Sequence, residues 1–332
     1  MSAEAEAARR AARMRAALIL SGGIALLSLQ DSLVKFMSGE TSLWQFQSLR
    51  SGFNLLILVA MVRIGAELAR RKGREAVGLE RLWPKRRAAV ALRTAFLTVC
   101  IFCYFAGAPV LTFAQMGAGL FTYPLWITLL SGAVLSERVG PWRVGAALIG
   151  AVGAALILRP WADDFTWWQV LPMLAGFLYA CNVLTLRRAC REEHPMALAA
   201  AVAVAFLASG LIGSITLSVF PVPDLREDLV FVGTGWPALT LVAVGFALFA
   251  SFCNLFGNMA LSTAYQSAEP AWLAPFDYTY LAYVVLWSFV LFGDVPDAMS
   301  LAGLALIAAA GVLTAIRESL RQPDLKRRGP IR

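Results

Sequence analysis

Ten apolar runs, each about as long as the 17–25 residues needed to cross a bilayer as a helix, divide this 332-residue chain between short charged or turn-forming stretches. In hydrocarbon every backbone N–H and C=O must be satisfied within the segment or by a closed barrel. Continuous runs of this length do not alternate in polarity as barrel strands do, so the pattern predicts helices. The first five expected spans are Met14–Met37, Leu43–Ile64, Ala88–Ala108, Thr112–Leu135 and Trp142–Leu158. The second five are Trp167–Leu186, Ala197–Phe220, Trp236–Leu261, Ala268–Leu291 and Met299–Ile316. Composition agrees: 59% of residues are apolar and 15% charged, against about 45–50% and 25% in a soluble domain.

The formal charge of +8 and pI near 9.6 would suit a nucleic-acid binder if the charge lay on a hydrated domain. It lies instead in alternate loops, as the positive-inside rule requires of a membrane protein. With the N-terminus cytoplasmic, the inside segments receive Arg9, Arg10, Arg13 and Arg15, the stretch from Arg70 to Arg87, Arg138 and Arg143, Arg187, Arg188 and Arg191, and the tail from Arg317 to Arg332. Outside segments hold Lys35, Arg159 and Arg226 beside Glu40, Asp163, Asp164, Asp224, Glu227 and Asp228. Both termini are therefore expected in the cytoplasm of a bacterial-type inner membrane. The partners expected are the bilayer and a small solute, with no nucleic acid, and a monomer is plausible. The first apolar run is too long for a cleaved signal peptide and is expected to be retained. The five cysteines fall in spans or on the expected cytoplasmic side, where disulfides are rare, so Cys100 and Cys103 read as small buried residues.

The chain repeats itself. Gly145–Arg159 aligns without gaps on Gly303–Arg317 with seven matches in fifteen positions, among them Gly145 with Gly303 and Gly153 with Gly311. A weaker match sets Phe105, Thr112, Gln115 and Pro124 on Phe256, Thr263, Gln266 and Pro275. Each unit holds an odd number of spans, so the second copy enters the bilayer inverted. The expected fold is an all-α membrane protein of ten helices in two inverted five-helix repeats, 1–160 and 161–332, around a central cavity, an architecture common among secondary transporters. Alanines at four-residue spacing, Ala147, Ala151 and Ala155 and again Ala305 and Ala309, mark helices five and ten as packing elements. No solute is expected there.

Particular residues carry a family likeness: Gln30-Asp31-Ser32-Leu33-Val34-Lys35, Trp44-Gln45-Phe46-Gln47 with Arg50, Arg93-Thr94, Tyr104-Phe105-Ala106, Ala114-Gln115, Pro124-Leu125 and Leu135-Ser136-Glu137-Arg138. In this order the chain resembles the drug/metabolite transporter superfamily, in particular its EamA-type ten-helix exporters, which include bacterial aromatic amino acid exporters. The likeness spans helices one to ten. The second half is less faithful, with Gly293-Asp294 where the family often has Gly-Glu and Asn182 where the repeat would place an Asp. The resemblance implies a cavity lined by helices one, three, four, six, eight and nine, with helices five and ten peripheral, and movement of small organic solutes.

Charges inside spans are costly and mark function by default. Asp31 and Lys35 stand one turn apart, as an ion pair would, with Arg50 close enough in sequence position to neutralise Asp31. Arg93 is expected to snorkel toward headgroups. Glu269 and Asp277 flank Pro270 and Pro275 in helix nine, and Asp277 is the first choice for a coupling carboxylate. The residues expected to bind solute are Tyr104, Gln115, Tyr123, Trp126, Tyr179, Asn182, Asn254, Asn258, Gln266, Trp272, Phe276, Asp277, Tyr278 and Tyr280, whose rings and amides suit an amphipathic molecule. Pro124 and Pro275 occupy equivalent repeat positions and are expected to hinge their helices. Trp44, Trp142, Trp167 and Trp168 read as interfacial belt, and Gly117-x-Gly119 as close helix packing.

These residues point to export of amino acids, aromatic ones favoured, or similar metabolites by alternating access. Uptake of a vitamin or nucleoside-like metabolite fits the same residues. A polytopic enzyme fits less well: the sequence shows no nucleophile-base-acid set, no metal-ligand cluster, no cofactor motif and no phosphate-cradling loop. The one histidine, His194, falls in a loop, and no loop is long enough for a nucleotide domain. A channel stays open at this point.

Overall fold

Backbone that cannot bond to water folds helically, and twelve α-helices account for most of the described chain. The computed structural model describes residues 3–73, 78–135, 140–163, 165–222, 229–267 and 273–327, excepting the side chains at 3–10, 143, 266, 274 and 315–327. The helices are α1 Ala3–Phe36, α2 Leu43–Arg71, α3 Arg87–Ala106, α4 Phe113–Leu120, α5 Tyr123–Leu135, α6 Pro141–Leu158, α7 Val170–Ala189, α8 Pro195–Val219, α9 Val230–Gly233, α10 Leu241–Ser267, α11 Thr279–Phe292 and α12 Ala298–Arg327. No strand occurs among the described residues. Five free thiols are present, at Cys100, Cys103, Cys181, Cys190 and Cys253.

Eight helical stretches are long and apolar enough to cross a membrane: 11–39, 43–71, 87–106, 113–135, 167–189, 195–219, 241–265 and 275–292. Two expected spans are shorter apolar helices, Val144–Leu158 and Ala298–Thr314. They pack lengthwise on each other.

Local chemistry sets the ends. The Ser42 hydroxyl accepts the Gln45 N–H at 3.1 Å to start α2. Thr112 and Gln115 form a reciprocal capping box at the start of α4. Glu193, from the loop after α7, accepts the backbone N–H groups of Lys85 at 2.9 Å and Arg86 at 2.6 Å just before α3, a carboxylate placed at the positive end of a helix. The expected helix at Trp236–Leu261 instead begins at Leu241, because residues 234–240 are non-helical and include Pro237. The expected end of helix two at Ile64 moves to Arg71, where the Glu67 and Arg71 pair at 3.1 Å sustains another two turns. Thr112–Leu135 is broken into α4 and α5 at Phe121 and Thr122, and the Thr122 hydroxyl bonds the Gly119 carbonyl at 2.7 Å in the break.

α1 packs on α10 and α11, and α7 on α3, α4 and α5; α2 packs on α10 and α8, and α3 on α8; α4 packs on α11 and α6 on α12. Glycines permit the closest crossings. A Cβ on Gly153 would stand 2.6 Å from the Gly303 carbonyl oxygen, and one on Gly303 2.5 Å from that of Gly153. Gly119 meets Pro172 in the same way, which agrees with a packing role for Gly117-x-Gly119.

Arg159 closes α6 in the left-handed region, with φ 46°, and its guanidinium grips Asp297 at the start of α12. The Arg159 hydrogen bond, followed by the Ser300 N–H, holds the Asp297 carboxyl from its ordinary 3.8 down to about 2. The folded value lies below the unfolded one, so the stabilisation is complete above the ordinary value and is lost as pH falls through the folded value. The expected result of Asp297→Ala is that thermal stability in detergent loses part of its decline between pH 4 and pH 2, measured as a pH series of unfolding curves.

Candidate functional site

A cavity of about 200 Å³ opens between α5, α6, α7, α12 and the turn that precedes α11. Aromatic and polar groups come from Phe121, Tyr123, Thr128, Ser131, Tyr278 and Thr314, and opposite charges from Asp277 and Arg187. Each is placed by a local feature. Tyr123 opens α5 directly after the break, and Pro124 follows in the first turn, where a missing N–H costs nothing. Asp277 and Tyr278 lie in a 3-10 turn, Ala274–Tyr278, that begins with Pro275 at its second residue. Arg187 stands in the last turn of α7, where a cation suits the negative helix end. Gly311 leaves room for Tyr278: a Cβ there would fall 1.6 Å from the phenol Cζ.

Asp277 accepts a 2.6 Å hydrogen bond from the Tyr265 hydroxyl. Phe121 joins this cavity to a second polar group. Its ring stacks on Tyr280 at 4.9 Å and meets Tyr123 edge-on at 5.6 Å and Tyr278 at 5.8 Å, while Tyr123 meets Tyr179 at 5.0 Å. Tyr280 donates to Asp31 Oδ2 at 2.8 Å and shares a 3.1 Å bond with the Tyr104 hydroxyl. Gln30 Nε2 donates to Asp31 Oδ1 at 3.1 Å. Arg50 donates to Gln47 Oε1 at 2.8 Å and lies over the Phe206 ring.

The structure thus brings Tyr123, Tyr179, Asp277, Tyr278, Tyr280, Tyr104 and Asp31 into one connected group. Others of the expected residues stand elsewhere. Lys35 turns from Asp31 to the Ala108 and Leu111 carbonyls, at 3.0 and 2.7 Å, because the buried turn between α3 and α4 offers it two acceptors; the expected pair is not formed. Gln115 spends its amide oxygen on the Thr112 N–H at 2.9 Å and is a capping residue. Asn258 is exposed and bonds the Asn254 carbonyl on its own helix at 2.7 Å. Trp126 packs edge-on against Phe177, and Phe276 lies beside Asp277 in the same 3-10 turn. Asn182 is buried on α7. Trp44 donates to the Val232 carbonyl and stacks on Phe102, so it packs inside the protein. Arg93 is half-buried on α3. Glu269, Pro270 and Trp272, with the Gln266 side chain, lie outside the described residues.

The expectation of purely structural helices five and ten is corrected. Ala146, Ala147 and Gly150 of α6 and Ala310, Gly311 and Thr314 of α12 line the cavity. Small residues that bring two helices together at Gly153 and Gly303 also leave space where the helices part. Phe121 and Arg187 were the other absentees from the sequence reading. Phe121 carries a signal in its position between Gly119 and Pro124, and Arg187, just beyond the apolar run that ends at Leu186, reads from sequence as a cytoplasmic basic residue.

Comparison with known proteins returns no matching family model. A riboflavin transporter of Rhizobium johnstonii is 29% identical over 231 residues, 69% of this chain and 70% of that one. A riboflavin transporter of Vibrio cholerae is 30% identical over 188 residues, 57% of each chain. The pseudopaline exporter CntI of Pseudomonas aeruginosa is 24% identical over 288 residues, 85% of this chain and 89% of that one. A protein of known crystal structure superposes with a TM-score of 0.59 at 20% identity, over 92% of this chain and 99% of that chain, a likeness of fold alone. Spans long enough to cross the bilayer, an internal polar-aromatic cavity and relatives named as transporters converge: the protein is a multi-pass membrane transporter of a small solute, and not an enzyme.

Proposed function

We propose that the protein is an inner-membrane secondary transporter that moves a small amphipathic metabolite by alternating access, with export of amino acids, aromatic ones favoured, as the first reading. The observation that carries it is the cavity that sets Asp277 and Arg187, opposite charges, among Tyr123, Tyr278 and Phe121. A zwitterion with a ring meets such a wall on all three counts: its ammonium at the carboxylate, its carboxylate at the guanidinium, its ring on aromatic faces. A cavity of about 200 Å³ lies below the range typical of drug-sized ligands, which favours a compact solute.

Uptake of a vitamin-like flat heterocycle is a second reading, favoured by relatives named riboflavin transporters. Resemblance to the EamA-type exporters supports ten helices in two inverted halves, 1–160 and 161–332. Helix packing also supports it. Exchanging α1, α2, α3, α4–α5 and α6 for α7, α8, α10, α11 and α12 turns the α1 and α10 contact into that of α7 and α3, and the α2 and α10 contact into that of α8 and α3. The basic loops support cytoplasmic termini. Pro124 follows the break between α4 and α5, and Pro275 lies in the 3-10 turn ahead of α11, which supports hinging.

Proteoliposomes given a labelled panel of amino acids and heterocyclic vitamins test the proposal. Saturable, trans-stimulated flux of an amino acid is expected. Flux of the vitamins alone moves the assignment to the second reading, and absence of saturable flux for every solute defeats both.

A further inference from the structure

Near the Asp31 end of the connected group lie buried polar atoms with no hydrogen-bond partner: Gln30 Oε1, Gln47 Nε2 and Arg50 Nε. The parent residues are only 3%, 1% and 3% exposed. Ser51 Oγ and Asn54 Oδ1, further along the same face of α2, are also unpartnered. Buried polar groups are nearly always satisfied, and these include both donors and acceptors. A simple anion would use the donors of Gln47 and Arg50 and leave the acceptors of Gln30 and Asn54. A metal cation would do the reverse and sit against the Arg50 charge. Water donates and accepts, and bridges groups of both kinds in protein interiors. Gln47, Arg50, Ser51 and Asn54 thus form a buried polar row along one face of α2.

Among the described residues no cation forms an ion pair with Asp31. Lys35 faces the end of α3 and Arg50 is engaged by Gln47. The titratable groups around Asp31 are Arg50 from α2, Tyr104 and Cys100 from α3, and Tyr280 from α11, with Lys35 one turn along α1. The described length of α10, which packs on α1 through Gly257, carries no Asp, Glu, Lys or Arg. Resting on the transporter reading above, we propose that Asp31 is the proton-coupling site, loaded by water that enters along the polar row on α2 and read by the solute cavity through Tyr280 and Phe121.

The step balances as a proton transfer. A hydronium ion relayed along the row on α2 gives its proton to Asp31 Oδ1: one hydronium O–H bond breaks and leaves water, and one O–H bond forms on the carboxylate and leaves a neutral carboxylic acid. Gln30, which donates to Oδ1 in the charged form, turns its free Oε1 to accept the new O–H. Release returns the proton to water on the other side of the transport cycle. Tyr280 donates to Asp31 and stacks on Phe121, and Phe121 touches Tyr123 and Tyr278 in the cavity wall. Loading Asp31 thus alters the hold on a ring that abuts the solute. Asp277, bonded to Tyr265 and lining the cavity, is left to the solute.

The test is transport by the full-length chain in proteoliposomes, using whichever panel solute shows saturable exchange. Wild type is expected to accumulate it above equilibrium when a pH gradient is imposed. Asp31→Asn is expected to bring accumulation down to the equilibrium level while solute exchange without a gradient persists. Gradient-driven accumulation that survives Asp31→Asn overturns the proposal. Wild-type exchange with no response to the gradient overturns it too and leaves the transporter reading intact, whereas absence of exchange for every solute removes that reading. Should Asp31→Asn not reach the membrane, Tyr280→Phe tests the link: a displaced pH profile of accumulation supports it, and an unchanged profile overturns it.

Discussion

Gly303→Leu is expected to abolish most of the folded protein recoverable from the membrane, while Gly145→Ala is expected to leave it unchanged or slightly more stable. The two glycines occupy equivalent positions in the repeat, yet their surroundings are opposite. A Cβ on Gly303 stands 2.5 Å from the Gly153 carbonyl oxygen and 2.6 Å from Ile157 Cγ1, whereas one on Gly145 has nothing within 4 Å. Backbone cannot yield as a flexible side-chain tip does, so α6 and α12 must separate along a seam with no hydrophobic drive to hold it in lipid. Overpacking a well-formed interior costs about 1–3 kcal/mol, and a leucine against backbone is expected at or beyond the upper figure, a large part of a total stability of about 5–15 kcal/mol. Gly145→Ala instead removes backbone freedom and gains up to about 1 kcal/mol of helix propensity. Thermal unfolding in detergent, read with the monodisperse fraction, checks both.

Asp277→Asn is expected to raise the half-saturation concentration for an amine-bearing solute about thirtyfold and to leave a neutral heterocycle almost unaffected. The carboxylate lines the cavity and is oriented by the 2.6 Å bond from Tyr265. Asparagine keeps the shape and an acceptor for that hydroxyl, so what is lost is the charge. A hydrogen bond to a charged group contributes about 1.5–3 kcal/mol, and about 2 kcal/mol corresponds to the stated factor. Tyr123→Ala weakens both solute types, since a ring face serves either. The pair of variants thus separates the amino-acid reading from the vitamin reading in one set of saturation curves.

Helices were legible because hydrocarbon leaves the backbone one choice, and their lengths were misjudged where something other than apolarity decides. α2 outruns its apolar run because Glu67 and Arg71 pair in solvent, and α10 starts late because of Pro237. The cavity was partly legible. Asp277 and Tyr123 stood out as a charge and a phenol inside spans. The small residues of α6 and α12 did not, because one stripe, Gly145 to Gly153, serves contact at one end and open space at the other, and only helix crossing geometry distinguishes the two. Lys35 misled for a related reason: one-turn spacing predicts a pair with Asp31, but the carbonyls at the end of α3 come from a distant part of the chain.

The account turns on solute passing through the cavity bounded by Tyr123, Asp277 and Arg187. The direct measurement is counterflow of labelled solute into proteoliposomes preloaded with the same unlabelled solute, for wild type and Asp277→Asn. The account predicts saturable, trans-stimulated entry in wild type, with the half-saturation concentration of an amine-bearing solute raised in the variant. Entry that rises linearly with concentration, or a variant indistinguishable from wild type for every amine-bearing solute carried, would contradict it.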